Sequence, residues 1–140
     1  MAGTVGGFFD LSPFMGRANP LAPPIDLWVD GDVVRGRATL GWAYQGPPGH
    51  LHGGFIAAIF DEALGLAQSM TGHPGMTGTL TVRYRKPTPL LTELRIEALV
   101  RRIAGRKIFT EARLYAGETL TAEAEAIFIS ITPEHLQPAR

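Results

Sequence analysis

The hydrophobic pattern of this chain changes period twice, and the changes divide it. Over residues 25–44 the pattern is that of a β-hairpin: Leu27-Trp28-Val29 and Val33 to Leu40 flank Asp30-Gly31-Asp32, a tight-turn signal. After a turn rich in Gly and Pro, residues 53 to about 70 adopt helical spacing. Ile56, Ile59, Phe60, Ala63, Ala67 and Met70 recur along one stripe, which Leu64 and Leu66 widen. Gly72, Pro74 and Gly75 end that helix. Period two then returns. Leu80, Val82 and Tyr84 alternate with Thr79, Thr81 and Arg83, and strands follow over 93–103 and 106–116 around a turn at Ala104-Gly105. The last strand runs from Thr119 to Ile131, with Ala122, Ala124 and Ala126 alternating with Glu123 and Glu125. That narrow alanine row suits a sheet curled closely around a buried helix. One helix followed by consecutive antiparallel strands is an α+β arrangement rather than a βαβ repeat.

Residues 1–24 break both periods. They hold Gly3, Gly6, Gly7, Pro13, Pro20, Pro23 and Pro24 among Phe8, Phe9 and Phe14, and predict an irregular arm ahead of a single domain over 25–140. The 140 residues suffice to bury roughly two-thirds of the unfolded surface. Thirteen basic residues balance thirteen acidic ones, so no global field attracts nucleic acid or an acidic membrane. The absence of cysteine removes disulfides, thiolate nucleophiles and Cys-type zinc sites together. With no basic n-region before an apolar run and no run of membrane-spanning length, a soluble cytoplasmic protein is expected.

Chemistry gathers at Gln45-Gly46-Pro47-Pro48-Gly49-His50-Leu51-His52-Gly53-Gly54 and the helix that follows. A helix N-terminus offers unpaired N–H donors and the positive end of the dipole, so Gly53 and Gly54 open a place suited to an anion or a polarised carbonyl oxygen. Asp61 stands two turns further on, off the middle of the apolar stripe, with Gly54, Ala57, Ala58 and Gly65 on its own face. That setting equally suits tight helix packing with a solvated Asp, and the upstream glycine pair tips the reading toward a hydrolytic site. His52 can also serve simply as a helix cap, and His50 as a turn residue. The two lack a third ligand at a recognisable spacing, so no metal is expected, and hydrolysis by one carboxylate, one polarising N–H and a water asks for no cofactor. Glu62 points about 100° away from Asp61 and reads as a solvated or interface charge.

Spacing has a consequence for assembly. Gly53 and Asp61 are about 12 Å apart along a helix axis. A base and a polarising N–H must each come within about 3 Å of the atoms they serve. One helix cannot readily supply both to one carbonyl. Two antiparallel copies across a two-fold axis can, which makes the expected unit a homodimer with two composite sites.

The chain resembles the hotdog-fold thioesterases, in the acyl-CoA branch with an aspartate on the helix, and is especially similar to the mammalian mitochondrial long-chain acyl-CoA thioesterases. The matching segments are Gln45 to Gly49, His52-Gly53-Gly54 through Asp61, Met76-Thr77, Tyr84 with Arg85-Lys86-Pro87, Gly105-Arg106-Lys107 and the closing strand from Ala124 to Ile129. They cover about residues 40–132. The resemblance implies an antiparallel sheet wrapped around one long central helix. It implies that Asp61 acts as general base or nucleophile, that the Gly53 N–H polarises the thioester carbonyl beside Gly54, that Thr77 orients water or carboxylate, and that His52 hydrogen-bonds near the thioester. A related subfamily carries Asn or Gln in the turn; Gly46 stands at the Asn position here, with Gln45 beside it. Arg85-Lys86 and Arg106-Lys107, in strand-terminal turns, suit the phosphates of coenzyme A, and equally suit solvent. Arg101-Arg102 are weaker candidates, because alternation sends them to opposite faces.

The expected reaction is hydrolysis of a medium- to long-chain acyl-CoA, within fatty acid metabolism, to free acid and CoA. Two rivals stand beside it: an enoyl-thioester hydratase or dehydratase on the same fold, and a non-catalytic acyl-CoA-binding module. Whether dimers pair into tetramers stays open.

Overall fold

A computed structural model describes residues 24–131, which form one six-stranded antiparallel sheet and one long helix. The arm expected over 1–24, with Phe8, Phe9 and Phe14, lies outside the described residues apart from Pro24. Strands β1 (Ile25–Asp30) and β2 (Val33–Ala38) make the expected hairpin around Gly31, whose φ of 61° the turn requires. A 3-10 turn, Trp42–Tyr44, leads into the glycine-proline segment and helix α1 (Gly53–Ser69). Strands β3 (Gly75–Tyr84), β4 (Leu94–Ala104), β5 (Lys107–Ala116) and β6 (Thr119–Ser130) follow. Their spatial order is β1-β2-β4-β5-β6-β3, so β3 crosses to a sheet edge and pairs along one side only, with β6.

The sheet wraps α1, which packs against every strand from β2 to β6. Ile56, Ile59, Phe60, Ala63, Leu64, Leu66 and Ala67 are buried, as the helical stripe predicts. Met70 is not: it caps the helix and is 40 % exposed. Gln68 takes the buried place instead, its side-chain amide donating to the His73 carbonyl across the helix end. Gly75 begins β3 rather than ending the helix, and a Cβ there would stand 3.0 Å from Gln68 Nε2. Ala122, Ala124 and Ala126 are buried opposite Leu114, Ala112 and Thr110, a floor of short side chains that lets the sheet approach the helix.

The convex face carries charge instead. One row crosses five strands as Arg35, Glu97, Arg113, Glu123 and Arg83, each opposite the next in register. Arg35 is hydrogen-bonded to both Asp30 and Glu97, which raises its affinity for the proton. Such exposed pairs each contribute at most about 1 kcal/mol. Arg101 and Arg102 both join this face, contrary to strict alternation. The register slips between Val100 and Arg102, so Arg101 pairs with Glu111 while Arg102 lies over the Phe109 ring at 3.9 Å.

Candidate active site

The segment before α1 is a closed turn rather than a loose loop. Gly49 adopts a φ of 79°, the Gly46 N–H donates to the His50 carbonyl, and Gln45 Oε1 accepts from the Gly49 N–H at 2.8 Å. Gln45 therefore spends its side chain inside the turn. Gly46 has no room for one: a Cβ there would lie 2.8 Å from His52 Cα. The Asn or Gln of the related subfamily has no counterpart on this backbone. The turn is also fastened to the segment after β3, by Leu51 N–H to Thr88 O at 2.8 Å and Leu90 N–H to Gly49 O at 3.1 Å. That segment is in turn held to β6, where the buried hydroxyl of Thr88 donates to Thr121 Oγ1 at 2.9 Å.

His52 is the helix N-cap. Its Nδ1 accepts from the Gly54 N–H at 2.9 Å, which leaves the proton of the neutral ring on Nε2. Gly54 suits this cap, because a Cβ there would sit 3.0 Å from Nδ1 and the His52 ring would have to shift. Gly53 differs. Its N–H has no acceptor among the described residues, and a Cβ would meet only the Tyr84 ring, at an ordinary 3.4 Å. A free N–H at the positive end of a 17-residue helix is a donor directed at whatever occupies the space before it.

That space is an open groove of about 580 Å³. Its walls include His50, Gly53 and Gly54 on one side and Tyr84, Arg85 and Lys86 on the other. The His50 ring is fixed by its Nδ1–H, which donates to the Pro48 carbonyl at 2.9 Å. Arg85 donates to Glu123 at 3.1 Å and holds that carboxyl below the usual carboxylate range. Arg106 and Lys107 are not brought here. Arg106 donates to the Ser130 carbonyl, and Ser130 lies opposite Gly75, at the far end of β3 about 30 Å away.

Asp61 and Thr77 do meet, with Thr77 Oγ1 donating to Asp61 Oδ1 at 2.8 Å. Alternation counted back from Leu80 would send Thr77 to the convex face. The pairing with β6 instead skips Gly78: Thr77 lies opposite Phe128 and Thr79 opposite Ile127. This β-bulge turns Thr77 toward the helix. A glycine isolated inside a strand pattern was the available signal. Alanine at position 78 would bring a Cβ to 3.0 Å from Ile129 Cγ1 and 3.1 Å from the Ile127 carbonyl. Gly78→Ala is expected to cost about 1–3 kcal/mol of stability by overpacking and to lower activity through displacement of Thr77. Thermal unfolding beside a turnover assay checks both, and a variant matching wild type in each would deny the bulge this role. A contact that sequence reasoning did miss is that of Tyr84 Oη, which donates to the Gly53 carbonyl at 2.7 Å.

The model of the thioesterase superfamily matches residues 48–123, from the turn into the first half of β6. The chain belongs to the thioesterase superfamily. Its sheet wrapped on one helix is the hotdog fold. Among solved structures, a thioesterase superfamily protein superposes with a TM-score of 0.80 at 41% identity, over 84% of this chain and 62% of that one. Zebrafish thioesterase superfamily member 2 superposes at 0.74 over 88% and 91% of the two chains, and at 20% identity it shows the fold alone. The mouse acyl-coenzyme A thioesterase THEM4 is 39% identical over 92 residues, 64% of this chain and 40% of that protein. The same-named protein of Xenopus laevis is 40% identical over 91 residues, again 64% of this chain and 41% of the relative. The matched stretch thus spans less than half the length of these curated relatives.

Proposed function

We propose that this thioesterase-superfamily chain hydrolyses a medium- to long-chain acyl-CoA to free acid and CoA. One observation carries the reading: a single helix begins with an N–H that has no described partner and bears, two turns on, a carboxylate oriented by a hydroxyl. Asp61 takes a proton from water as the oxygen attacks the thioester carbon. The Gly53 N–H donates to the developing oxyanion, the C–S bond breaks, and the CoA sulfur leaves as thiolate and takes the proton that Asp61 accepted, which restores the carboxylate. Alternatively Asp61 attacks directly, giving an acyl anhydride that water then opens; trapping during a single turnover separates the two routes. The neutral His52, with its proton on Nε2, can donate near the thioester.

The groups act across a homodimer. β3 exposes one unpaired edge, and an antiparallel partner strand there sets the Thr77 half of one β3 against the Tyr84 half of the other. The partner's Asp61 then approaches this chain's Gly53, and the partner's Arg106 and Lys107 approach Arg85 and Lys86. Separation of the two basic pairs within one chain agrees with this pairing. Lys86, which has no ion pair among the described residues, and Arg85 bind the CoA phosphates at the groove mouth.

Thiol release from a panel of acyl-CoAs of increasing chain length tests the reading. The expected outcome is CoA release that is greatest with medium to long chains. Hydration of an enoyl-CoA without thiol release, or tight acyl-CoA binding with no CoA ever freed, overturns it.

A further inference from the structure

The peptide unit joining Gly53 to Gly54 is held at both ends. Its carbonyl oxygen accepts from Tyr84 Oη at 2.7 Å, and its N–H donates to His52 Nδ1 at 2.9 Å. This unit adjoins the one N–H of the helix start that no described residue engages.

We propose that Tyr84 is a positioning residue of the hydrolytic site: it ties the first turn of α1 to β3 from the carbonyl side of Gly53 and so fixes where the Gly53 N–H stands in the groove. The inference rests on the thioesterase reading above. The direction of the Gly53 N–H is set within the His52–Gly53 peptide, whose carbonyl accepts from the Phe55 and Ile56 N–H groups. Its place in the groove depends on two adjacent glycines, whose backbone no Cβ restricts. The His52 ring restrains the Gly53–Gly54 peptide from its N–H side only. Tyr84 supplies the opposing hold, and its ring stands against Gly53, 3.4 Å from where a Cβ would be.

Stability is a poor account of the same contact. Tyr84 is 54 % exposed, so its ring adds little to the core. The Gly53 carbonyl, in the first turn of a helix, already has the N–H four residues on as a donor, and Tyr84 uses its other lone pair. A phenol carries one proton, and this one is committed to Gly53, so Tyr84 acts through the peptide rather than on the substrate. The bonds also run in series, from phenol to carbonyl and from amide to imidazole, and each polarises the next.

Tyr84→Phe keeps the ring and removes the donor. The expected result is a kcat lowered about tenfold, the scale of one neutral hydrogen bond, with KM within about twofold and an unchanged melting temperature. Two inert ligands give a readout that groove shape alone does not move. An acyl-CoA thioether, which lacks the carbonyl oxygen, binds both proteins alike. The ketone analogue, which keeps that oxygen and replaces sulfur by methylene, binds the variant about fivefold more weakly. The Gly54 amide proton, less polarised, moves upfield in the nitrogen-15 correlation spectrum of the variant. A kcat within about twofold of wild type, equal weakening of both ligands, or an unmoved Gly54 resonance overturns the proposal. Wild-type protein that frees no CoA from any substrate overturns the thioesterase reading instead, and the Gly54 resonance still reports whether Tyr84 holds the peptide.

Discussion

Asp61→Asn is expected to lower CoA release by at least about a hundredfold, the scale of a positioned acid–base group. The substitution is nearly isosteric. Its amide oxygen can still accept from Thr77 Oγ1, now 2.8 Å from Asp61 Oδ1, so the contact that orients residue 61 survives. What disappears is the capacity to take a proton or to attack a carbonyl carbon. The melting temperature and the affinity for an acyl-CoA thioether are expected to stay at wild-type values. Turnover by the Asn variant near the wild-type rate would remove Asp61 from the mechanism.

Gly53→Pro is expected to lower kcat by about 10²–10³, the usual loss when one oxyanion donor is removed. Proline deletes the N–H and little else at this position. It is favoured as the first residue of a helix, where the N–H bonds no carbonyl of the helix itself. The preceding residue must be extended, and His52 already is, with φ −64° and ψ 134°. Gly53→Ala is the control, because it keeps the N–H and adds a Cβ only 3.4 Å from the Tyr84 ring. It is expected to retain most of the activity.

The two inactive variants together test the assembly. When they are unfolded and refolded as an equal mixture, half of the dimers carry one chain of each kind. Every such dimer has one site with an intact Gly53 from one chain and an intact Asp61 from the other. About a quarter of wild-type activity returns if the site is shared between chains. None returns if each chain holds a whole site.

Most of the scaffold was legible because period and burial agree. The shift from period two to 3.6 and back marks α1, and its stripe predicts the buried face except at the last turn. There Gln68 finds a carbonyl partner that a periodicity count cannot foresee, while Met70 ends the helix and stays exposed. The hairpin, the strands and their antiparallel sense followed from turn residues and alternation, whereas the crossing of β3 to the edge beside β6 did not.

At the candidate site, residue types were easier to read than directions. Asp61, Thr77, His52 and the glycine pair stand in the local motifs that singled them out. Thr77 reaches Asp61 only because a register slip reverses its side of the strand, and such a slip is a property of pairing with β6. The Tyr84 contact joins positions 31 residues apart, beyond any local pattern. Gln45 was available in sequence as a free amide, but closure of its own turn consumes it. Arg85-Lys86 and Arg106-Lys107 read as one class of strand-end charge, although β3 holds them at opposite ends of the sheet.

Gly78 gives β3 two parities. From Thr79 onward, inward and outward positions answer to the core, since Leu80 and Val82 must meet the helix and its alanine floor. Before Gly78 the count restarts, and the inward positions Thr77 and Gly75 answer to Asp61 and Gln68 instead. The two halves of one strand can therefore change independently over evolutionary time. Residues that present the hydroxyl can be exchanged without repacking the interior, and the interior can be repacked without turning the hydroxyl away.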